Sequence, residues 1–389
     1  MFEVYVHVPF CLRRCGYCDF NTYTATDLGE GASRSTYAAQ AIREMRLVRD
    51  WQLSNGIDEP PASTVFLGGG TPTVLPAKDL GAIVAAVRDL WGLEDGAEIT
   101  TEANPDTVDD AYVRALADAG FTRISFGMQS AVPHVLKTLD RTHTPANVEA
   151  GVRAAQDCGL RVSVDLIYGA PGESLDDWRT SVDTALALGV EHLSAYALTV
   201  EPETKMGRKI AAGTMRAPDD DDEAAKYAIV DDACHAAGLQ WYEISNWAVP
   251  GQESRHNLGY WRNVDWAGIG PGAHSHYART GEPGVRAWDV LHPRAWSADI
   301  NAGRIPWAGS ERIDRTADLE ERVMLGLRLR EGLDVPMVER LSGTDLTALC
   351  GQLTHEELVT MEGTRIVPTQ RGRLLNDAVI ERVFDVVLG

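Results

Sequence analysis

Between residues 3 and 248, short apolar runs alternate with longer stretches in which apolar positions recur every three or four residues. The short runs are predicted to be strands: Val4–Val8, Thr64–Leu67, Glu98–Glu102, Arg123–Phe126, Val162–Ile167 and Leu193–Thr199. The longer stretches are predicted to be helices: Thr36–Leu53, Ala77–Trp91, Asp109–Ala119, Pro145–Cys158, Leu175–Leu188 and Asp221–Ala237. Val84, Val87, Leu90 and Trp91 mark one such helical face. Several strand runs are apolar on both faces, as expected of strands covered by helices. Strand–helix alternation implies parallel pairing through right-handed crossovers. Six units are too few for a closed eight-unit barrel. The pattern fits an α/β fold built on an open, partial (β/α)6 TIM-like barrel. Its functional residues should gather at the C-terminal ends of the strands.

The character of the chain changes twice. Residues 241–310 are rich in Trp, Gly and Pro and weak in periodicity, so short strands and loops that extend or cover the barrel mouth are expected there. From residue 311 to 389 the helical period returns in Thr316–Leu329, Pro336–Leu341 and Leu346–Leu353. A hairpin from Leu358-Val359 and Arg365–Pro368 follows, and then a last helix, Leu374–Val387. This reads as a mostly helical, winged-helix-like domain after a core of residues 1–240. Such domains often bind DNA, but this one holds 15 acidic and 10 basic residues, a net charge of −5. It is expected to pack on the barrel or on a protein partner.

Composition narrows the function. The chain has 389 residues, 44% of them apolar, enough for one large domain and a smaller one. A formal net charge of −21 repels phosphate backbones, which disfavours nucleic acid, and offers no general basic face to anionic lipid. No apolar stretch approaches the ~20 residues of a membrane span. No secretory leader pattern precedes the first cysteines, so the expected compartment is a reducing cytoplasm, which suits free thiols. The acidic run Asp219–Glu223, after Pro218, reads as the start of a helix rather than a metal site.

The chemistry begins at Cys11, Cys15 and Cys18, spaced C-x3-C-x2-C directly after the first strand. Three thiolates so spaced can hold three irons of a four-iron cluster and leave the fourth open. Zinc is the competing reading, but its sites usually draw on two separated pairs. The remaining cysteines, Cys158, Cys234 and Cys350, stand alone in apolar helical patterns and read as core residues. Further along, Gly68-Gly69-Gly70-Thr71-Pro72 follows a strand, where glycines let a ligand approach the backbone. No G-K-[ST] follows, so a P-loop is not implied. Glu102 ends the third strand and could accept from a pair of ribose hydroxyls or cap the next helix. Gln129 ends the fourth. Arg141 could fork onto a carboxylate or pair with Asp140 at the surface. Asp165 lies inside an apolar strand, which is costly unless it is paired, and so points to a functional role.

The cysteine loop resembles that of the radical S-adenosylmethionine (SAM) superfamily. The string Tyr5-Val6-His7-Val8-Pro9-Phe10-Cys11 resembles its oxygen-independent coproporphyrinogen oxidase branch. The resemblance extends over most of the chain. It implies a [4Fe–4S] cluster on Cys11, Cys15 and Cys18, with the amino and carboxylate groups of SAM chelating the unliganded iron. By local motif it assigns SAM contacts to Tyr5, Tyr17, Gly69, Gly70, Thr71, Glu102, Gln129, Arg141, Asp165 and Ala197.

Two departures separate the chain from the oxidases. Their triplet continues C-x-C, whereas here Phe20 stands in place of that cysteine, and only ten residues precede Cys11 where they carry a long leading segment. In addition, His256-Asn257-Leu258-Gly259-Tyr260-Trp261 (H-N-x-x-Y-W), followed by Trp266 to His274, resembles the signature of the HemW-type haem chaperones. Imidazole is the commonest axial haem ligand, and aromatic neighbours can stack on the macrocycle. The plain alternative is a loop histidine beside two packed aromatics. The resemblance implies haem b as cargo near or on the His256 ring, with His274 and His276 as other candidate ligands. It also implies acceptor haemoproteins as partners, a homodimer, and peripheral contact with membrane haemoproteins. The expected function is therefore a haem chaperone rather than an enzyme. The alternative is a radical-SAM oxidase that decarboxylates coproporphyrinogen.

Overall fold

Six strands form the centre of the computed structural model, which describes residues 1–279 and 282–389. They are β1 (Phe2–Val8), β2 (Ala62–Gly69), β3 (Leu93–Ala103), β4 (Arg123–Gln129), β5 (Arg161–Tyr168) and β6 (His192–Ala197). All pair in parallel and in chain order. The connecting helices are Tyr37–Ser54, Ala77–Leu90, Asp110–Asp118, Pro145–Asp157 and Leu175–Ala187. Each begins and ends within about a residue of its sequence expectation, because local signals set the ends. Thr144 and Ser174 build capping boxes, and Asp109 accepts from the Tyr112 N–H. The predicted helical face is where the core lies: Ile83, Val84 and Val87 are fully buried against the sheet.

The sheet extends beyond the six units. The short strands β7 (Gln240–Glu243) and β8 (Asn246–Ala248) add antiparallel beside β6. At the other edge β9 (Asp265–Ile269) runs parallel to β1, followed by antiparallel β10 (His274–Arg279), β11 (Glu282–Asp289) and β12 (Trp307–Ile313). Twelve strands result, with β12 and β7 at the edges. The expected short strands of residues 241–310 are present, but most of them widen the sheet rather than cover its mouth.

Register places polar residues in rows on one face: Glu3, Thr64 and Glu98; then Glu102 and Ser125; then Asp165 and Ser194. Glu102, Ser125, Asp165 and Ser194 of these rows line one cavity inside the curved sheet. The strands are thus apolar toward the helices and polar inside, which corrects the expectation of two apolar faces.

The acidic run is a helix start, as read. Asp219 caps helix Asp220–Ala236 by accepting from the Asp222 N–H. Cys234 and Cys350 are buried in packed cores and Cys158 is half-buried.

Residues from 315 onward form a second core around Leu319, Val323, Val338, Leu353 and Val379. Its helices are Arg315–Gly326, Val335–Ser342, Thr347–His355, Gln370–Leu374 and Asn376–Val387. They surround a small sheet of β13 (Leu333–Asp334), β14 (Val359–Glu362) and β15 (Arg365–Pro368), with β15 in the middle. This domain clasps the barrel at several places. Arg373 pairs with Asp231 at 2.6 Å and lies 4.4 Å from the ring centre of Trp241, and Glu321 pairs with Arg286 on β11. Among the described residues no helix is long and apolar enough to cross a membrane.

Candidate functional site

A cavity of about 400 Å³ opens at the C-terminal ends of β1–β6. Cys11, Cys15 and Cys18 line it, together with Tyr17, Gly69, Gly70, Thr71, Glu102, Gln129, Arg141, Asp165 and Ala197. Thirteen candidate residues were assigned to the cluster and SAM, and twelve meet here although they come from six strands and their loops. Tyr5 is the exception. It lies deeper in the sheet, packed on Phe66 with ring centres 6.3 Å apart, and donates from its hydroxyl to His7 Nδ1 at 3.1 Å.

The cysteine loop is fixed by its backbone. Cys11 N–H donates to the Tyr23 carbonyl at 3.0 Å, Arg34 donates to the Cys11 carbonyl at 2.8 Å, and Cys18 N–H closes a turn onto Cys15 at 3.3 Å. No cysteine is in a disulfide. Two side chains reach the sulfurs: Thr71 Oγ1 donates to Cys11 Sγ at 3.6 Å and Arg141 Nη1 to Cys15 Sγ at 3.5 Å. Burial pushes the Cys11 and Cys18 thiols above their ordinary range, so a metal taking them must displace protons. Among the described residues no three His, Cys, Asp or Glu side chains converge as on a single metal ion. Soft sulfur donors on one wall, with no fourth cysteine among the lining residues, fit the three-thiolate, four-iron set.

The glycine loop lies against this loop. Gly70 N–H donates to the Val8 carbonyl at 2.8 Å and Thr71 N–H to the Phe10 carbonyl at 2.7 Å. Gly69 has φ 99°, and a Cβ there would collide with the His7 ring. A Cβ on Gly70 would lie 2.6 Å from the Phe10 carbonyl oxygen.

Three ambiguities of the sequence resolve here. Glu102 caps no helix; its Oε2 accepts from Gly69 N–H at 3.0 Å, and burial, with nearby Asp165, pushes its carboxyl up to about 7. Asp140 pairs with Lys205 at 2.8 Å and Arg13 at 3.4 Å, while Arg141 turns inward and donates to Asn104 Oδ1 at 2.5 Å and the Gly127 carbonyl at 2.8 Å. Asp165 accepts from Ser125 Oγ at both oxygens, 3.1 and 3.0 Å, and burial raises its carboxyl. Gln129 holds a left-handed φ of 61°, and its Oε1 is buried without a partner, as is Arg141 Nε. Orphaned polar atoms of this kind mark a wall built to meet a polar ligand.

Arg123, Ser125, Ser194 and Asn104 also line the cavity and escaped the sequence reading. The alternation of Arg123 and Ser125 along one strand was the available signal.

The H-N-x-x-Y-W segment is not a loop. It forms helix Arg255–Trp261, capped by Ser254 and by Glu98, which accepts from Arg255 N–H at 3.2 Å and His256 N–H at 3.1 Å. His256 is 1% exposed and stacks on Phe66 with ring centres 5.0 Å apart. Its Nδ1 lies 2.6 Å from Thr64 Oγ1 and its Nε2 3.0 Å from the Tyr260 hydroxyl. Burial pushes its pKa down to about 3, so the ring is neutral. Both ring nitrogens are thus engaged inside the barrel.

A second cavity, of about 650 Å³, lies between β9–β10 and helix Arg315–Gly326. Tyr5, Tyr260, Trp266, His274, His276 and Met324 are in its walls, and Phe20, Gly69 and Glu102 border both cavities.

Residues 5–185 match the family model described as the radical SAM superfamily, and residues 313–375 match the HemN C-terminal domain. A Mycobacterium tuberculosis protein named "Heme chaperone HemW" is 44% identical over 384 residues, covering 98% of this chain and 95% of that one. The Bacillus subtilis protein of that name is 32% identical and covers both chains fully, and the Escherichia coli one is 35% identical, covering 92% and 89%. Among solved structures, the radical SAM enzyme coproporphyrinogen III oxidase (HemN) of Escherichia coli superposes with a TM-score of 0.80 at 19% identity, covering 98% of this chain and 89% of that one. This likeness shows a shared fold.

Proposed function

The chain belongs to the radical SAM family of HemW-type haem chaperones, and on that premise we propose that it binds haem and hands it to acceptor haemoproteins. The observation that carries this reading is the full-length similarity to proteins of that name, joined to a cavity in which three free cysteines face the glycine loop. In this reading Cys11, Cys15 and Cys18 hold a [4Fe–4S] cluster and SAM is exchangeable beside it. The cluster, when bound, supplies an open iron position and a one-electron redox couple.

The protein's own residues have separable roles. Thr71 and Arg141 steady two of the sulfurs through hydrogen bonds. Gly69 and Gly70 bare the backbone so that SAM can lie close. Glu102 and Asp165 offer carboxylate oxygens to hydroxyl or ammonium groups. The Arg141 guanidinium is committed mainly to Asn104, Gly127 and Cys15, so it serves the cluster loop before any carboxylate of SAM. Phe20, 60% exposed at the border of both cavities, replaces the cysteine of the oxidase pattern with a group that cannot ligate iron. That substitution favours carrying haem over oxidising a porphyrinogen. A reducing compartment, a homodimer and acceptors at a membrane surface belong to the same proposal.

The test is handover under anaerobic conditions. Haem-loaded, cluster-reconstituted protein is mixed with an apo-b-type cytochrome and the acceptor's spectrum is followed. The reading expects transfer faster than from free haem. Absence of transfer, or conversion of added coproporphyrinogen to protoporphyrinogen, contradicts it.

A further inference from the structure

The three most exposed large apolar side chains among the described residues are Leu291, Phe20 and Leu12, at 65%, 60% and 59%. All three lie at the cysteine loop. Leu12 and Phe20 belong to it, and Asn21, next to Phe20, donates from its side-chain amide to the Leu291 carbonyl at 2.7 Å. Cations stand among them. Arg13 and Arg14 are exposed between Cys11 and Cys15, and Arg14 reaches the Phe20 carbonyl at 3.4 Å. Helix Lys205–Ala211 is held against the loop by the Met206 N–H, which donates to the Gly16 carbonyl at 2.8 Å, and it brings Lys205 alongside. Asp140 is shared between Arg13 at 3.4 Å and Lys205 at 2.8 Å, and Asp19 is the one carboxylate of the loop itself. Three cations against two carboxylates leave this face positive on a chain of net −21. Arg13, Arg14 and Phe20 also line the first cavity. Exposed apolar residues scattered singly are ordinary, but three gathered at one loop with cations between them mark a surface for a partner.

We propose that this face docks an acidic one-electron carrier protein that reduces the cluster. The inference rests on the reading of Cys11, Cys15 and Cys18 as cluster ligands. All three sit on the loop whose outer side is Leu12, Arg13 and Arg14, so a partner seated there is separated from the sulfurs by the loop itself. The carrier gives up one electron and is oxidised, and the cluster takes that electron and is reduced; no covalent bond forms or breaks. Charge decides the class of carrier. The net −21 of the whole chain turns an acidic partner away elsewhere, and the positive loop admits it, which orients the encounter toward the cluster. Leu12, Phe20 and Leu291 supply an apolar centre for the contact. A compact face of three apolar residues and three cations suits the small, transient contacts of redox partners.

The experiment uses the full, anaerobically reconstituted chain and a plant-type [2Fe–2S] ferredoxin as the probe, an acidic carrier of low potential. Binding of the oxidised ferredoxin is read by calorimetry. Reduction of the cluster by the reduced ferredoxin is read by rapid-freeze electron paramagnetic resonance, with dithionite as a small reductant that needs no docking face. Wild type is expected to bind the ferredoxin, more weakly as salt rises, and to be reduced by it. Arg14→Glu should raise Kd ~10-fold and slow reduction by ferredoxin in proportion, with iron content and reduction by dithionite unchanged. Leu291→Ser, outside the cysteine loop, should raise Kd ~3-fold under the same controls. Wild-type Kd and wild-type ferredoxin rates in both variants would overturn the proposal. So would a wild-type chain that dithionite reduces but ferredoxin neither binds nor reduces. Loss of self-association, or of binding to anionic phospholipid vesicles, in Leu291→Ser with ferredoxin reduction intact would also overturn it, giving the face to a second copy or to a membrane. If wild type takes up no iron and sulfide, the cluster reading fails first and this proposal fails with it.

Discussion

Glu3 and His256 sit 3.5 Å apart at the base of the barrel, and burial moves their pKa values in opposite senses, Glu3 up to about 9 and His256 down to about 3. Both are therefore neutral at neutral pH, and the contact is not an ion pair. Nearby Glu98 adds to the rise at Glu3, and Thr64 and Arg255 oppose it. The native state keeps a proton on Glu3 that the unfolded chain releases near pH 4.5. Stability from this group is thus lost as pH rises from about 4.5 toward about 9. Thermal melts should show the melting temperature of wild type falling more steeply between pH 5 and pH 8.5 than that of Glu3→Gln; equal slopes would contradict this. At Gly69 the left-handed backbone and the His7 ring both forbid a side chain. Gly69→Ala should cost roughly 1–3 kcal/mol in denaturant melts and reduce SAM affinity. The chemistry of these positions was only half legible in the sequence. Cys11, Cys15, Cys18 and the glycine loop announce themselves by spacing. The His256 letters mark an important ring but not which way it faces, because burial depends on contacts with Glu3 and Thr64, some 190 residues or more earlier in the chain.

Helix Arg255–Trp261 is only seven residues long, too short for its period to be read, yet Ser254 already stood at its cap position. Its stability depends on tertiary partners. Glu98, 1% exposed at its side chain, accepts from the first two N–H groups and pairs with Arg161 at 3.0 Å. Glu98→Ala leaves those donors buried and unpaired, and the cost should be about 2–4 kcal/mol in urea melts. Hydrogen exchange should show the loss concentrated in residues 255–261, and uniform exchange across the barrel would contradict the assignment. The long strands and helices were legible because each carries its own period and caps, as Thr144 and Ser174 show. Strand β9 was not, since its parallel pairing with β1 joins segments some 260 residues apart.

At the scale of the whole molecule, six βα units make an open barrel, and strands added at both edges carry the helical domain across it. The clasp between Arg373, 8% exposed, and Asp231, 16% exposed, holds one side. Arg373→Ala should cost about 1.5–3 kcal/mol and separate the unfolding of the C-terminal domain from that of the barrel. A single, unshifted calorimetric transition would show that the clasp contributes little. The C-terminal domain and the barrel are both net acidic, so specific pairs such as Arg373–Asp231 and Glu321–Arg286, not net charge, hold them together. The two cavities adjoin through Phe20, Gly69 and Glu102, so a cluster-bearing site and an aromatic pocket share one wall. The claim on which this arrangement depends is that the first cavity holds a cluster one protein ligand short. The direct measurement is electron paramagnetic resonance of the anaerobically reconstituted, reduced protein with and without SAM, alongside metal analysis. The account predicts roughly four iron ions per chain and a spectrum that SAM changes. Zinc in place of iron, or a cluster spectrum indifferent to SAM, would contradict it.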